Sequence, residues 1–282
     1  MLRIVTDGAV DFPEEWYQEY NIQRIPINIH FGDEKTFIQD EELSMDEFYK
    51  LVDDKSLPHP KTSQPSPHQF VEFYKKIAQP GDTVLSIHIT SKLSGTYASA
   101  VAAVDEVKDL FKVVPVDTLG GSMGTGFMCR TARQMERAGK SVGEIVNHLE
   151  SIRGKVQIIL TLDTLEYARR SGRVGTLSAA LASVLNVKPI ALLKDGLVEM
   201  VDKVRTRKAA FERVLDMAKN TYGDQPVYLG VVHARDLASA QTLLDGAKKV
   251  LNVKESFLTD LSISLAINFG PGTVGIVLYP AE

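Results

Sequence analysis

A single cysteine, Cys129, stands in 282 residues, so no internal disulfide can staple the chain, and a reducing cytoplasm is the expected setting. An excess of basic charge is also missing. Thirty-two Lys and Arg face 36 Asp and Glu, for a formal net charge of −4 with both signs interspersed, which argues against a nucleic-acid-binding surface. Long apolar runs are absent too: residues 261–279 are the most apolar, but Asn268, Gly270, Pro271 and Gly272 interrupt them, so a transmembrane segment is not expected. No secretory or transit segment, internal repeat or low-complexity linker is recognisable. The chain carries no HExxH, CxxC, P-loop or EF-hand spacing, and its six histidines are scattered; no metal and no cofactor are expected.

What is present is an alternation of strand and helix signals over a length that suggests about two domains. Such a chain buries roughly three quarters of its extended surface. Residues 2–6 form an apolar strand ending at Asp7, and Asp11 with Pro13 marks a helix start. Residues 22–31 read as a second strand, Gly32-Asp33 as a turn, and Ser44 to Glu47 as a capping box opening a helix. Asp7 lies at the carboxyl end of a strand, where open α/β sheets gather ligands, although an Asp in a tight turn is equally a structural residue.

Two hydroxyl-bearing stretches stand out. In Ser86-Ile87-His88-Ile89-Thr90-Ser91-Lys92-Leu93-Ser94-Gly95-Thr96-Tyr97 a strand empties into a helix whose apolar positions include Tyr97, Val101 and Val104. Ser94 and Gly95 therefore fall near a first turn, where free N–H groups and the helix dipole favour an anion; Ser94 as a simple cap is the competing reading. In Lys61-Thr62-Ser63-Gln64-Pro65-Ser66-Pro67 the prolines stiffen a loop that presents Thr62 and Ser63, with Ser66 capping a helix begun by Pro67.

Residues 118–126 are glycine-rich after a strand at 113–117. The spacing is not a dinucleotide fingerprint, but Gly120-Gly121-Ser122-Met123-Gly124 satisfies G-x-S-x-G, the nucleophile elbow of α/β-hydrolases. A serine hydrolase using Ser122, with His233 as the one sensibly placed base, is the alternative function. Against it, three residues separate Asp117 from Gly120 and no HGGG-like segment lies upstream; the glycines also suit close packing of a helix on a sheet.

From about residue 153 the pattern changes. Asp163 is expected to cap a helix that stops at Gly172, with Arg169, Arg170 and Arg173 around its end. Asp195-Gly196 between two apolar runs signals an antiparallel hairpin. Helices at 206–220 and 237–250 and strands at 227–232 and 253–258 follow, and Asn268 is the lone polar side chain between apolar flanks.

Taken together, Thr6-Asp7-Gly8-Ala9-Val10-Asp11-Phe12-Pro13, residues 61–67, 91–97, 165–173, 204–208 and 270–275 resemble the DegV family in order and spacing. The resemblance implies an α/β fold: an EDD-type parallel-sheet domain over residues 1–152, a smaller α/β domain with an antiparallel hairpin over 153–282, and a tunnel between them for one long-chain fatty acid. Family members include the fatty-acid-binding subunits of a bacterial fatty-acid kinase, which present the carboxylate to a separate kinase. Carried over position by position, Thr62 and Ser94 hold the carboxylate beside Gly95. Arg173, in Ser171-Gly172-Arg173, assists with the acyl phosphate, and Arg205 and Arg207 dock the kinase. Two positions depart from the family pattern: Asn268 stands where kinase-linked members carry histidine, and Gly8 where serine is frequent. Asn268 can hydrogen-bond a carboxylate but cannot become a cation. The expectation is a cytoplasmic, monomeric lipid carrier with no catalytic residues of its own. A small phosphorylated-metabolite enzyme related to dihydroxyacetone kinases is a third reading.

Overall fold

The computed structural model describes residues 1–173 and 187–281. Its first strand, β1 (Leu2–Asp7), leads through the short helix α1 (Glu15–Glu19) to β2 (Ile22–Ile25). The single strand expected at 22–31 is broken in two. Pro26 lacks the N–H a ladder needs, and the chain leaves one sheet there to enter another as β3 (Asn28–Phe31). Paired antiparallel to β3 are β4 (Lys35–Ile38) and β5 (Lys61–Ser63), so the expected hydroxyl-rich loop at 61–63 is a strand. Between them lies α2 (Met45–Asp53), whose first turn is capped by Ser44.

Helix α3 (Pro67–Ile77) opens with the reciprocal cap of Ser66 and Gln69. Strand β6 (Thr83–His88), helix α4 (Thr96–Val107), strand β7 (Lys112–Asp117) and helices α5 (Ser122–Arg137) and α6 (Val142–Ile152) complete this half. Strands β2, β1, β6 and β7, in that order, form a parallel sheet. Its alternating side chains divide between two cores. Val5, Val84 and Val113 meet Phe70, Tyr74 and Ala100 of α3 and α4, whereas Ile4, Leu85 and Ile87 belong to the larger core that includes Met123, Phe127 and Met128 of α5.

A 3-10 turn at Arg153–Lys155 leads to β8 (Gln157–Thr161) and α7 (Glu166–Ser171). Gly172 ends α7 in the left-handed region, φ +71°, as its sequence position demands. Asp163 is not the cap of α7. Thr164 Oγ1 accepts from Glu166 N at 3.1 Å, and Asp163 pairs with Lys188 at 2.7 Å. Strands β9 (Lys188–Lys194) and β10 (Leu197–Val204) form the expected hairpin, with Asp195 and Gly196 both at positive φ. Helices α8 (Arg207–Tyr222) and α9 (Leu237–Val250) alternate with β11 (Pro226–His233) and β12 (Asn252–Asp260) before α10 (Ile263–Phe269) and β13 (Val274–Pro280). The resulting six-stranded sheet, ordered β10-β9-β8-β13-β11-β12, is antiparallel except between β11 and β12.

One face of that sheet packs Val227, Leu229 and Ile276 against α8 and α9. The other sends Ile158, Leu160 and Val277 into the core that also receives the parallel sheet. Helix α5 therefore runs between the two sheets, and Ser122 to Arg130 are all buried. Small residues make this approach possible: a Cβ on Gly124 would stand 3.1 Å from Ile158 of β8, and one on Gly126 would stand 2.6 Å from the Phe12 ring. At the rim Arg130 reaches Glu255 of β12 at 2.7 Å, its guanidinium lying over Trp16 and Tyr228. Because a single apolar core joins both sheets, urea unfolding is expected to be one transition. Phe127→Ala should lower stability by about 3–5 kcal/mol within that same transition; two separated transitions would contradict the shared core.

Candidate functional site

In the parallel sheet the chain steps from β1 to one edge and from β6 to the other. A crevice therefore opens beyond the carboxyl ends of β1 and β6, the usual ligand position in such sheets. Asp7, fully buried, ties the two loops together. Its Oδ1 accepts from Ala9 N at 2.9 Å, and its Oδ2 accepts from Ile89 N at 3.1 Å and lies 2.9 Å from His88 Nδ1. Beyond His88 the chain of contacts continues to Ser86 Oγ at 2.6 Å and to the Tyr74 hydroxyl at 2.8 Å. Every member is buried. Asp7 thus acts structurally, by fixing the shape of the crevice.

Ala9 and Ile89 form part of the wall of a small pocket of about 60 Å³. Four of the residues singled out from the sequence line it: Thr62, Ser94, Arg173 and Asn268. Thr62 arrives on β5, paired with Ile29 of β3, and its hydroxyl has no hydrogen-bond partner among the described residues. Ser94 Oγ contacts Thr96 Oγ1 at 2.8 Å and accepts from Thr96 N at 3.3 Å, so its position at the start of α4 also serves the helix. Asn268 donates through Nδ2 to Ser264 O at 2.6 Å and keeps a second N–H. Arg173 follows the left-handed Gly172 at the end of α7.

Gln64, which nothing in the 61–67 sequence marks as a site residue, also belongs to this wall. A Cβ on Gly95 would stand 2.7 Å from Gln64 Nε2. Gly95 therefore admits the Gln64 amide to the mouth of the pocket, and the sequence signal was the glycine that follows Ser94.

Ile89, Leu93, Leu265 and Phe269 belong both to this pocket and to an adjoining chamber of about 40 Å³ whose wall exposes only apolar surface. Ser122 borders that chamber, and its φ of +52° has the strained geometry of an elbow serine. Its hydroxyl, however, donates to Asp11 Oδ2 at 2.5 Å. His233 Nδ1 instead faces Asp260 at 3.2 Å. No hydrogen bond joins Ser122 to His233 among the described residues, and a carboxylate in direct contact does not supply the oriented imidazole of a triad.

Asp11 also accepts from Ser262 N at 2.7 Å, and Gln39 Oε1 accepts from Ser264 N at 3.3 Å. Two N–H groups at the N-terminus of α10, the helix that carries Leu265, Asn268 and Phe269, are thus satisfied across the molecule by the first half of the chain. Burial pushes the Asp11 carboxyl up to about 6, with Asp260 adding to the rise, against the hydrogen bonds from Ser122 and Ser262. Of the two arginines expected to dock a partner, Arg207 is engaged by Asp236 and donates to Gly272 O at 2.7 Å. Arg205 is exposed, with no partner among the described residues. Among those residues no group of three or more His, Cys, Asp or Glu is arranged to hold a metal ion, and no helix is long and apolar enough to cross a membrane.

Fold and pocket together define an α/β protein with a pocket at the switch point of a parallel sheet. The family model described as "Uncharacterised protein, DegV family COG1307" matches residues 1–281, and the chain belongs to the DegV family. A DegV domain-containing protein of Caldanaerobacter subterraneus subsp. tengcongensis is 30% identical over 278 residues, covering 98% of this chain and 97% of that protein. Among solved structures, a DegV family protein from Thermus thermophilus described by its fatty acid binding superposes with a TM-score of 0.90 at 30% identity, covering 99% of both chains. DegV from Bacillus subtilis, described as a fatty acid binding protein, gives 0.87 at 28% identity, also covering 99% of both.

An acid whose folded-state pKa exceeds its unfolded value makes the folded chain bind more protons between the two, so its contribution to stability falls as pH rises through that window. Asp11, at about 6 against an ordinary 3.8, should cost on the order of 2–3 kcal/mol at neutral pH relative to pH below about 4. In urea unfolding, Asp11→Asn is expected to gain stability over the parent as pH rises from about 4 to 6, and the difference should level off above that. A pH-independent difference would contradict the buried ionisation.

Proposed function

We propose that this chain binds one long-chain fatty acid, with the carboxylate held by Thr62 and Ser94 at the pocket mouth and the tail in the apolar chamber. The observation that carries this reading is that the two neighbouring cavities share Ile89, Leu93, Leu265 and Phe269 as wall residues. A polar mouth opening onto a wholly apolar interior fits an amphiphile with a small charged head. The division of labour follows from magnitudes. Each methylene removed from water contributes about 0.8 kcal/mol, so a tail of about sixteen carbons supplies on the order of 10 kcal/mol before ordering costs. The hydroxyls orient the head group, Gly95 leaves room beside it, Arg173 supplies the positive charge, and Asn268 adds a neutral donor.

The two units, residues 1–152 and 153–282, form the tunnel between them. The fatty-acid binding recorded for the Thermus thermophilus and Bacillus subtilis proteins supports the same ligand class here. The protein acts as a monomeric cytoplasmic carrier, or as the non-catalytic subunit that presents the carboxylate to a separate fatty-acid kinase, with Arg205 on the docking surface; Arg207 holds its own loops together.

Native mass spectrometry of purified protein should reveal one co-purified acyl chain. Ser94→Ala should weaken retention of an added fatty acid by about 1.5–3 kcal/mol through the lost hydrogen bond to a desolvated carboxylate, and unchanged affinity would remove Ser94 from the head-group site. A fluorophosphonate probe is expected to leave Ser122 unlabelled; stoichiometric labelling would revive the hydrolase reading.

A further inference from the structure

The apolar chamber has a far end, and its geometry bears on which acids fit. Gly120, Ile158 and Leu193 belong to its wall and also to the wall of a larger groove of about 900 Å³. Head pocket, chamber and groove therefore lie in series, each sharing wall residues with the next. The groove is charged, with Arg153, Lys155 and Lys194 alongside Glu150 and Asp195. Gly120 has no side chain to offer. Among the described residues the partition is thus made by the side chains of Ile158 and Leu193.

These two are directly opposite each other on the antiparallel strands β8 and β9, so their side chains stand on the same face and in contact range. Ile158 is buried and Leu193 half-buried, as expected for a pair with the chamber on one side and the groove on the other. The strand carrying Leu193 is anchored just beyond it: Thr90 Oγ1, in the first half of the chain, donates to Gly196 O at the hairpin tip at 3.1 Å.

We infer that the Ile158–Leu193 pair is the stop that sets the length of acyl chain this protein accepts, and that removing it opens the tunnel into the outer groove. The inference rests on the fatty-acid reading above and goes beyond it by assigning the length limit to two residues. Every methylene on the chamber side of the pair is buried and raises affinity roughly fourfold. A methylene pushed past it would enter a wide groove of mixed apolar and charged lining and gain less. Affinity should therefore climb with chain length up to the pair and then level or fall.

The test offers the delipidated parent, Leu193→Ala, Leu193→Phe and Ile158→Val an equimolar mixture of saturated acids of about 12 to 22 carbons, and native mass spectrometry reads which acids are retained. Leu193→Ala should move the most-retained length upward by about two carbons or more, Ile158→Val by less in the same direction, and Leu193→Phe downward, with one acid per chain throughout. The parent's length profile persisting in all variants that bind overturns the inference while leaving fatty-acid binding intact. A parent that retains no acid overturns the binding reading itself. Leu193 is half-buried and Ile158→Val removes one methylene, so at least one variant is expected to fold as the parent does.

Discussion

Burial of helix α5 between two sheets is the constraint on which the rest of the molecule depends. Every residue of the helix's first part, Ser122 to Arg130, is buried, so this stretch has to be covered on both sides, and here the parallel sheet and the mixed sheet each supply a face. Gly126 and its small neighbours let the partners approach, while Met123, Phe127 and Met128 fill the space between. The helix begins at Ser122, beyond the carboxyl end of β7. Its N-terminal residues therefore end the core, and the space beyond them is left to the apolar chamber.

The pocket above that chamber is a joint product of both halves of the chain. Asp7 fixes the loops after β1 and β6, and Asp11 and Gln39 receive the N–H groups of α10 from the other half. The Ser264 hydroxyl adds a bond to Gly8 O at 2.9 Å. These polar contacts make the wall that carries Leu265, Asn268 and Phe269 part of the same rigid arrangement as Thr62 and Ser94. Buried polar networks of this kind fix geometry only when their members are satisfied, and the ionised Asp11 carboxylate accepts from both an O–H and an N–H.

Much of this was legible in the sequence because the signals were local. The caps at Ser44 and Ser66, the Gly172 stop and the Asp195-Gly196 hairpin depend on a few adjacent residues, and each falls where the pattern put it. The errors came from long-range pairing. Residues 61–63 have loop composition, yet they become a strand because β3 offers an open edge; Pro26 splits an apolar run because two different sheets claim its ends. Asp163 looked like a cap but is claimed by Lys188, far along the chain. At the site, Thr62, Ser94, Arg173 and Asn268 are brought to one pocket. Gln64 escaped notice because nothing local says that an exposed glutamine will lean over Gly95, and Asp11 because its partners, Ser122 and Ser262, lie more than a hundred residues away.

The central claim is geometric: one amphiphile, head at the paired hydroxyls and tail in the chamber. A crystal structure of the protein with its co-purified lipid tests it most directly. The account predicts one continuous tube of density running from Thr62 and Ser94, each within hydrogen-bonding distance of a carboxylate oxygen, past Ile89 and Phe269 toward Ile158. A head group bound elsewhere, or side chains collapsed into the chamber so that no alkyl chain can enter, would contradict it.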